Sequence, residues 1–474
     1  MTVSGLLAQR FRESRDDILF VTSHGKKLSY GQTLANARRL TIEWKTQGAR
    51  KGDVVALLFP NDVAFPCCYL ACLLAGVVAV PINAEIGAEN IQFIVDLVKP
   101  KIVVNTPPPI DDQILPISDF ELGADPKTCG AIFFTSGTTG RPKGVRHCAS
   151  ALVGNVVAFN QAMKLTPDVR MYHVLPMAYM AGFLNTVLSP IMAGGTVIIG
   201  PRFSPQSALD FWSQPVREQA NAIWLTPSIA AALTRLVRDL PGARKSVTDF
   251  DNVLCGTAPL HPAVRRKYYS VFGVPLQESY GTSELLLVSA QTRARAELTN
   301  DDVGEPLPEL ELAFRGDTEG RTELIIRSPF SMLNYLTDDG LVSVADAQGF
   351  VPTGDVGKLD DGILHITGRI KDLIIRGGIN ISPRAIEDIL GDLPDVEEVA
   401  VVGVPHDFWG EALVACIQVS SKADPMAIEA AVRQRCRERL AKSHQPDRIA
   451  VLPTFPRAAT GKVQKHLLQR ALAG

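Results

Sequence analysis

The sequence predicts an α/β protein in which doubly wound parallel sheets come first and a smaller, separate segment follows. Short apolar runs such as Thr196–Ile199 and Ala222–Leu225 alternate with segments of helix length, which is typical of parallel sheets covered by helices on both faces. Around Leu310–Ser328 the sequence becomes alternating and is punctuated by Gly and Asp, which indicates a small antiparallel or barrel-like unit.

A second part of the chain is predicted beyond Gly368–Asp372. The sequence there favours a compact α+β unit, with its clearest strand at Val399–Val404 and its clearest helix at Pro425–Leu440. That helix carries Arg433, Arg435, Arg437 and Arg439. Four arginines on one helix are typical of a solvated surface, and contact with the phosphates of a thiol substrate is the alternative.

The composition is that of a globular enzyme without a global electrostatic field. The 474 residues include 48 Lys and Arg against 50 Asp and Glu, so the charge balance does not favour nucleic acid. Eight cysteines form no metal-spaced pattern, which predicts reduced thiols. The N-terminus lacks an apolar core of signal-peptide length. We therefore expect a cytoplasmic protein.

The first predicted strands surround an apolar segment that has the length of a membrane span. Val63–Ile82 contains no charged residue, but Pro66 and Pro81 interrupt it, and Asn61-Asp62 form a helix-capping signal in front of it. We therefore predict a buried helix followed by a buried strand. The predicted elements of this region are strands at Val54–Phe59, Val77–Val80 and Ile102–Val104 and a helix at Val63–Leu74.

The same alternation continues after residue 170. The predicted elements are strands at Met171–Leu175, Thr196–Ile199, Ala222–Leu225 and Val253–Cys255 and helices at Gly182–Met192 and Pro227–Val237.

Residues 132–144 form the most informative local pattern, Ile-Phe-Phe-Thr-Ser-Gly-Thr-Thr-Gly-Arg-Pro-Lys-Gly. A strand-like run, Ala131–Phe134, leads into a predicted loop of hydroxyls, glycines and two cations, Arg141 and Lys143. Glycines allow close backbone approach to a ligand, and hydroxyls, backbone N–H groups and cations bind oxyanions. The pattern predicts a phosphate-binding loop, although the Walker A spacing is absent. A flexible connector is the alternative.

Four further motifs follow in order. They are Tyr280-Gly-Thr-Ser-Glu284, Thr353-Gly-Asp355, Gly368-Arg-Ile-Lys-Asp372 with Arg376-Gly-Gly, and Thr460-Gly-Lys462. Together with residues 132–144 they resemble the core signatures of the acyl-adenylate-forming superfamily, which includes acyl-CoA synthetases, and the resemblance runs from about Leu28 to Leu468. It implies an N-terminal adenylate-forming domain at 1–368, a hinge at 369–371 and a mobile C-terminal domain at 372–474.

The resemblance implies activation of a carboxylic acid by ATP. The carboxylate attacks the α-phosphate, pyrophosphate leaves, and an acyl-AMP forms, a step that needs alignment and charge neutralisation. The residues that the resemblance assigns to ATP are Thr135, Ser136, Gly137, Thr139, Gly140, Lys143, Gly256, Thr257, Ala258, Glu278, Ser279, Tyr280, Gly281, Thr282, Asp355, Ile366, Arg369 and Lys462.

Three of the implied residues act most directly on the reaction. Glu284 and Thr138 are expected to hold Mg²⁺, which takes oxygen ligands, and Lys462 is expected to bridge the attacking carboxylate and the α-phosphate. Tyr280 offers a face for adenine, and Asp355 accepts from ribose hydroxyls. The non-catalytic alternatives are a helix-start carboxylate for Glu284, a turn former for Asp355 and a solvated lysine for Lys462.

The acid is expected to lie in an uncharged pocket formed by Tyr179, Phe183, Gly256 and Gly281. Relatives that activate amino acids carry an aspartate where this chain has Tyr179, so an α-amino acid is disfavoured. The surrounding segment resembles benzoate-type ligases, which favours an aryl or a short to medium acyl acid. A buried tyrosine that only fills volume is the alternative.

For the thiol step, the resemblance places the hinge at Lys371 and the thiol tunnel at Gly377 and Gly378. A plain glycine turn is the alternative for the latter pair. Free coenzyme A is the expected thiol, and the phosphopantetheine arm of an acyl carrier protein is the alternative. Two departures from the family pattern, Asn334 before Tyr335 and Ala385, are not expected to touch the chemistry.

Two further function classes remain open from the sequence. A catalytically silent nucleotide- or acyl-binding homologue is disfavoured because Lys462, Glu284 and Asp355 are all present. A luciferase-like oxygenase shares the adenylation half-reaction and would consume oxygen. The sequence also leaves a homodimer open.

Overall fold

The computed structural model describes residues 3–112, 122–123, 125–136, 141–298, 302–316, 322–419, 423–457 and 463–472. The first part of the chain alternates strands with helices. Its elements are α1 (Val3–Glu13), β1 (Ile18–Val21), β2 (Lys27–Ser29), α2 (Tyr30–Thr46), β3 (Val54–Leu57), α3 (Ala64–Ala75), β4 (Val78–Pro81), α4 (Ala88–Val98), β5 (Ile102–Val104), β6 (Cys129–Ser136) and β7 (Pro142–Cys148).

The alternation continues through the middle of the chain. Its elements are α5 (Ala149–Ala162), β8 (Arg170–His173), α6 (Met180–Phe183), a π-helical turn (Leu184–Leu188), α7 (Ser189–Ala193), β9 (Thr196–Ile199), α8 (Pro205–Ala208), α9 (Ser213–Arg217), β10 (Ala222–Leu225), α10 (Pro227–Leu236), α11 (Leu240–Ser246), β11 (Asn252–Cys255), α12 (Pro262–Phe272), β12 (Gln277–Thr282), β13 (Leu286–Ala290), α13 (Arg293–Leu298) and β14 (Glu305–Pro306).

The last part is richer in antiparallel strands. Its elements are β15 (Glu311–Gly316), β16 (Thr322–Arg327), β17 (Asn334–Thr337), β18 (Gly340–Val342), β19 (Val351–Asp360), β20 (Ile363–Arg369), a 3₁₀ turn (Ile370–Asp372), β21 (Ile374–Arg376), β22 (Ile379–Ile381), α14 (Pro383–Leu390), β23 (Val396–His406), β24 (Gly410–Val419), α15 (Pro425–Arg439), a second 3₁₀ turn (Lys442–His444), β25 (Arg448–Leu452) and α16 (Lys465–Leu472).

Two large sheets form the body of the molecule. One has the strand order β14-β13-β12-β11-β10-β8-β9-β1-β2, and the other has the order β18-β17-β7-β6-β4-β3-β5. The central pairs β10–β11, β8–β9 and β3–β4 are parallel. The largest apolar cluster takes side chains from both sheets and from α2, α3 and α5, so these helices form a layer between the sheets. The predicted doubly wound architecture is confirmed.

Two smaller sheets complete the fold. β15, β16, β19 and β20 form an antiparallel four-stranded sheet, which corresponds to the predicted small unit. The fourth sheet has the path β22-β21-β24-β23, with β25 parallel to β24. α14 and α15 contribute to an apolar cluster on one face of this sheet, and α16 contributes to a second cluster.

The apolar segment at 63–82 is a core helix and a core strand. Asp62 accepts a hydrogen bond from the Ala64 N–H at 2.8 Å, and Gly76 ends α3 with a positive φ of 73°. α3 is buried along nearly its whole length, and β4 is buried throughout. Within the ranges that the structure describes, no helix has the length and apolarity to cross a bilayer.

The helix predicted at Gly182–Met192 is only partly correct. The helical run starts earlier, at Met180, and its central turn, Leu184–Leu188, is a π-helix between α6 and α7. A π-turn inserts one residue into the helical repeat, so apolar periodicity does not reveal it. The irregular turn follows the segment that was predicted to open the acid pocket.

Candidate active site

The phosphate motif is a β-hairpin more than a loop. β6 and β7 pair antiparallel as far as Ser136 opposite Pro142, and Thr135 lies opposite Lys143. The prediction that the loop begins after Phe134 is therefore wrong, because Thr135 and Lys143 are held by the strand ladder. Gly137, Thr138, Thr139 and Gly140 lie outside the described residues.

Glu284 has a tyrosine partner that the sequence did not identify. The Tyr335 hydroxyl donates to Glu284 Oε1 at 2.6 Å, and the Lys143 ammonium lies 5.7 Å from the centre of the Tyr335 ring. Tyr335 reaches this position because β17 pairs with β7, with Tyr335 opposite Val145. Tyr335 has no role assigned to it from the sequence, although its hydroxyl fixes one oxygen of the candidate magnesium ligand.

A buried histidine fixes the backbone beside Glu284. His147 Nε2 lies 2.7 Å from the Ser283 carbonyl oxygen and donates to it. Burial lowers the pKa of His147 to about 4, and the hydrogen bond to Ser283 opposes this effect. His147 is therefore a neutral donor at pH 7, and it holds the turn from which Glu284 projects.

Asp355 joins the second half of the site. Its Oδ2 accepts from the Tyr280 hydroxyl at 2.7 Å, and its Oδ1 accepts from Arg369 Nε at 2.6 Å. Burial and then the Asp355 charge raise the pKa of Tyr280 well above its usual value. Burial by itself lowers the pKa of Arg369. The charge and hydrogen bond of Asp355 act in the opposite direction, and the pKa of the guanidinium is raised overall. Each Asp355 oxygen keeps a further lone pair for a ligand hydroxyl.

The side chain of Glu278 belongs to a buried network. Glu278 Oε2 accepts from Arg265 Nη2 at 2.6 Å, and Oε1 accepts from the Leu260 N–H at 3.2 Å. The Glu278 carboxylate is therefore engaged within the protein, and the expectation that this residue binds ATP stays a prediction. Burial raises the pKa of Glu278, and Arg384 and Arg265 oppose this effect.

Other ATP-assigned residues lie around these two centres. Thr257, the second residue after β11, has a φ of 71°, which is strained for a β-branched residue and is typical of functional loops. Gly281 lies at a bulge between β12 and β13, where a Cβ would come within 2.3 Å of the Leu286 carbonyl oxygen. Ile366 packs with Tyr280 against one apolar cluster.

Asn61 fixes the backbone of the segment that leads to Tyr179. Asn61 Oδ1 accepts from the Met177 N–H at 2.8 Å, and Asn61 Nδ2 donates to the Leu175 carbonyl oxygen at 2.7 Å. Tyr179 accepts a hydrogen bond from Asn83 Nδ2 at 2.8 Å and is half-buried. Asn61 and Asn83 lie far from this segment in the sequence, so no local signal identifies them.

Phe183 is a core residue. Its ring centre lies 4.0 Å from that of Tyr69 and 6.4 Å from that of Phe133, and only 1% of Phe183 is exposed. The assignment of Phe183 to the wall of the acid pocket stays a prediction, and the structure places its side chain in the aromatic core.

The C-terminal motifs lie on or next to the fourth sheet. Lys371 is exposed in the 3₁₀ turn that joins β20 to β21. A Cβ on Gly377 would lie 2.9 Å from the Trp409 ring, so the Gly377-Gly378 turn contacts its own sheet and is not brought to Asp355. Lys462 lies outside the described residues, but the flanking residues Arg457 and Val463 form an antiparallel bridge.

The two parts of the chain touch through α14. Arg384 Nη1 donates to the Ile366 carbonyl oxygen at 2.9 Å, and its Nη2 lies 3.9 Å from Glu278 Oε1. His261 contacts the Glu387 carbonyl oxygen at 2.8 Å. On α15, Arg433 pairs with Glu429 and Arg435 donates to the Ile389 carbonyl oxygen, so these two arginines bind their own domain.

The carboxylate of Glu284 suits magnesium held jointly with a nucleotide. Among the residues that the structure describes, no three His, Cys, Asp or Glu side chains converge as a metal cage. Mg²⁺ in phosphoryl-transfer sites is held by one or two protein oxygens together with phosphates and water, and it neutralises phosphate charge. Tyr335 occupies only Oε1 of Glu284, so the chemistry of this donor fits a shared ion.

The buried His173 predicts a pH dependence of stability. His173 Nδ1 lies 2.6 Å from Thr186 Oγ1, Nε2 lies 3.0 Å from Asn61 Nδ2, and burial lowers the pKa of His173 to about 3. The unfolded histidine titrates near pH 6.5, so the unfolded state binds more protons below that pH. His173 therefore lowers the unfolding free energy by up to about 1.4 kcal/mol per pH unit as the pH falls from about 6.5.

Urea unfolding between about pH 7 and pH 5 measures this effect, and His173→Gln should have a shallower pH dependence than the wild type. His24→Gln, at an exposed histidine, is the matched control and should leave the slope unchanged. Equal slopes for His173→Gln and the wild type would show that His173 is not buried as a neutral group.

Comparison with known proteins identifies the family. The model described as AMP-binding enzyme matches residues 7–121 and 111–336, and the model described as AMP-binding enzyme C-terminal domain matches residues 385–462. The long-chain-fatty-acid–CoA ligase FadD13 of Mycobacterium tuberculosis (strain ATCC 25618 / H37Rv) is 32% identical over 94% of this chain and 93% of that protein. The oxalate–CoA ligase of Arabidopsis thaliana is 30% identical over 89% of this chain and 88% of that protein.

The fold is also that of a solved member. The crystal structure of ATP-bound MatB from Rhodopseudomonas palustris matches with a TM-score of 0.87 and 26% identity, over 99% of each chain. The two family models match consecutive parts of this chain, in the order in which the sequence motifs occur. The protein therefore belongs to the AMP-binding enzyme family, the acyl-adenylate-forming superfamily, and is an AMP-forming acid–thiol ligase.

Proposed function

We propose that the protein activates an aryl or a short to medium acyl acid, and not an α-amino acid, as acyl-AMP and transfers the acyl group to coenzyme A. One observation carries the proposal: the turn from Tyr280 to Glu284 is bonded at both ends, to Asp355 and to Tyr335. This turn fixes, four residues apart, an aromatic residue for the nucleoside and a carboxylate for the phosphates.

Each residue then has a defined task in the first step. A carboxylate oxygen of the acid bonds to the α-phosphorus, the bond to the bridging oxygen breaks, and pyrophosphate leaves with both electrons of that bond. Lys143, fixed in β7, and the hydroxyls of Ser136, Thr138 and Thr139 bind the departing phosphates. Lys462 stabilises the charge between the acid and the α-phosphate.

The nucleoside is bound by Asp355 and its partners. Asp355 has acceptor capacity for the ribose hydroxyls, while the hydrogen bond from Arg369 holds its carboxylate in position. The hydrogen bond to Asp355 also fixes the Tyr280 ring, which offers its face to adenine. Glu284 would hold Mg²⁺ when the ion is bound with the nucleotide, and the ion would supply charge neutralisation at the phosphates.

The nature of the acid rests on this chain's residues. Relatives are named for acids as different as a long-chain fatty acid, oxalate and indoleacetate, so likeness to them selects none. Tyr179, Gly256 and Gly281 carry no charge, and the Tyr179 hydroxyl is bound to the Asn83 amide, not to a carboxylate. A substrate ammonium would have no counter-charge among these residues, which supports the exclusion of α-amino acids.

The second step joins the thiol. The thiol sulfur bonds to the acyl carbon, AMP leaves, and the thiol proton passes to solvent or to a base. The relatives described above are named CoA ligases, which supports coenzyme A over a carrier-protein arm. Between the two steps, residues 372–474 move as one domain by rotation about Lys371. In the second arrangement Gly377 and Gly378 lie along the path of the thiol.

ATP–pyrophosphate exchange without thiol, across aryl, short, medium, hydroxy and amino acids, tests the adenylation step. We expect exchange with acids of the aryl or short to medium acyl classes and none with amino acids. AMP release after addition of coenzyme A or of a phosphopantetheine-loaded carrier protein then identifies the thiol. No exchange with any acid would contradict the proposal and favour a silent homologue.

Lys462→Ala should separate the two half-reactions. Loss of a charge that acts in the transition state should lower pyrophosphate exchange by about 10²- to 10³-fold. Thiol transfer from preformed acyl-AMP should remain close to wild type. Lys442→Ala, at an exposed lysine of the same domain, is the control and should affect neither step. An equal loss in both half-reactions would contradict the role of Lys462.

Tyr335→Phe should weaken magnesium use without unfolding the protein. The hydroxyl donates to a carboxylate, an interaction worth about 1.5–3 kcal/mol, so we expect exchange to fall by about 10- to 100-fold and the Mg²⁺ requirement to rise.

Tyr268→Phe is the matched control for this variant, because the buried Tyr268 hydroxyl has no partner among the residues that the structure describes. Its removal should leave exchange unchanged. If Tyr335→Phe and Tyr268→Phe behave alike over a magnesium titration, the Tyr335 hydroxyl does not orient Glu284.

A further inference from the structure

A buried tryptophan lies beside the residues that we assign to the acid. Trp224 is in β10, parallel to β11, and is 1% exposed. Its indole Nε1 lies 3.3 Å from the position that a Cβ on Gly256 would take. The polar edge of this ring therefore faces Gly256, which the proposed function places in the acid pocket.

The Trp224 N–H is an unpartnered donor. Nε1 has no hydrogen-bond acceptor within the part of the chain that the structure describes. The nearby Ser279 hydroxyl is directed to the Cys255 carbonyl oxygen, at 3.3 Å. A buried N–H without an acceptor is unfavourable, and a buried indole N–H ordinarily finds a partner. The acceptor is therefore to be sought outside these residues, in a ligand.

The indole packs against Phe159, which lines a cavity of mixed polar and apolar character that Trp224 itself does not line. The Trp224 ring centre is 5.7 Å from that of Phe159, and Phe159 lines a cavity of about 160 Å³. Met163, Ala290 and Leu307 are among the other lining residues, and Arg295 lies at its edge. A cavity of this volume accommodates about one aromatic ring. Trp224 thus stands between Gly256 on one side and Phe159 with its cavity on the other.

We propose that Trp224 is the far wall of the acid pocket and that its indole N–H recognises an oxygen acceptor on the end of the acid remote from the reacting carboxylate. The ring limits the length of the acid, because it separates Gly256 from Phe159 and the cavity. The substrate class is then a single-ring aryl or short acyl acid with a distal hydroxyl or carbonyl oxygen. This inference rests on the proposed function and makes its substrate specific.

The test compares acids in matched pairs by ATP–pyrophosphate exchange. The wild type should use 4-hydroxybenzoate better than benzoate. Trp224→Phe keeps an aromatic ring and removes the N–H, so the preference should fall by about fivefold or more. Trp224→Ala opens the wall and should raise the rate with decanoate relative to hexanoate. Trp212→Phe, in the separate aromatic cluster with Phe250 and Phe272, is the control and should change neither ratio.

The outcomes distinguish this inference from the proposed function. If the wild type is active but does not prefer 4-hydroxybenzoate to benzoate, Trp224 does not recognise the distal oxygen. The same conclusion follows if the preference is unchanged in Trp224→Phe. An unchanged chain-length profile in folded Trp224→Ala overturns the wall. If the alanine variant does not fold, Trp224→Phe alone decides.

If the wild type shows no exchange with any acid, the proposed function fails, and direct binding then tests Trp224. Binding of 4-hydroxybenzoate should change the tryptophan fluorescence of the wild type and of Trp212→Phe, but not of Trp224→Phe. A change that persists in Trp224→Phe, or is absent from the wild type, overturns the inference independently of adenylation.

Discussion

The buried ion pair between Arg265 and Glu278 fixes the strand on which the nucleotide site depends. Arg265 also donates to the Leu276 carbonyl oxygen and to Gln291 Oε1, each at 2.8 Å, and the Glu278 N–H donates to the same Gln291 oxygen at 2.9 Å. This network joins α12, β12 and the segment after β13. Removing one partner of such a pair leaves an uncompensated buried charge, at a cost of about 3–5 kcal/mol.

Because this network holds β12 in place, the strand and the turn after it can position two site residues. Two residues beyond Glu278 the strand presents Tyr280 to Asp355, and the turn after it presents Glu284 to Tyr335. Since Asp355 is in β19 and Tyr335 is in β17, three separate sheets meet at one short turn. The precision of the site therefore comes from long-range pairing, while the motif supplies only the side chains.

This division explains what the sequence predicted and what it missed. The strands Thr196–Ile199 and Ala222–Leu225 were predicted with their observed bounds, because apolar runs between helices are a local signal. The motif residues were likewise recognisable as sets. Tyr335 and His147 were not identified, since each acts through a partner far away in the sequence. The internal contacts of Phe183 and Glu278 were also not foreseen, because a motif does not tell which way its side chains point.

The contact of Arg384 with Glu278 links the position of the C-terminal part of the chain to the protonation of the Glu278 carboxylate. Arg384 and Arg265 both oppose the rise in the pKa of Glu278 that burial causes, and Arg384 comes from α14. If the C-terminal sheet rotates about Lys371, this guanidinium leaves while Arg265 stays. The pKa of Glu278 must then rise further, so the rotated state binds protons more readily than the resting state. By linkage, any motion that withdraws Arg384 from Glu278 would favour proton binding by that carboxylate.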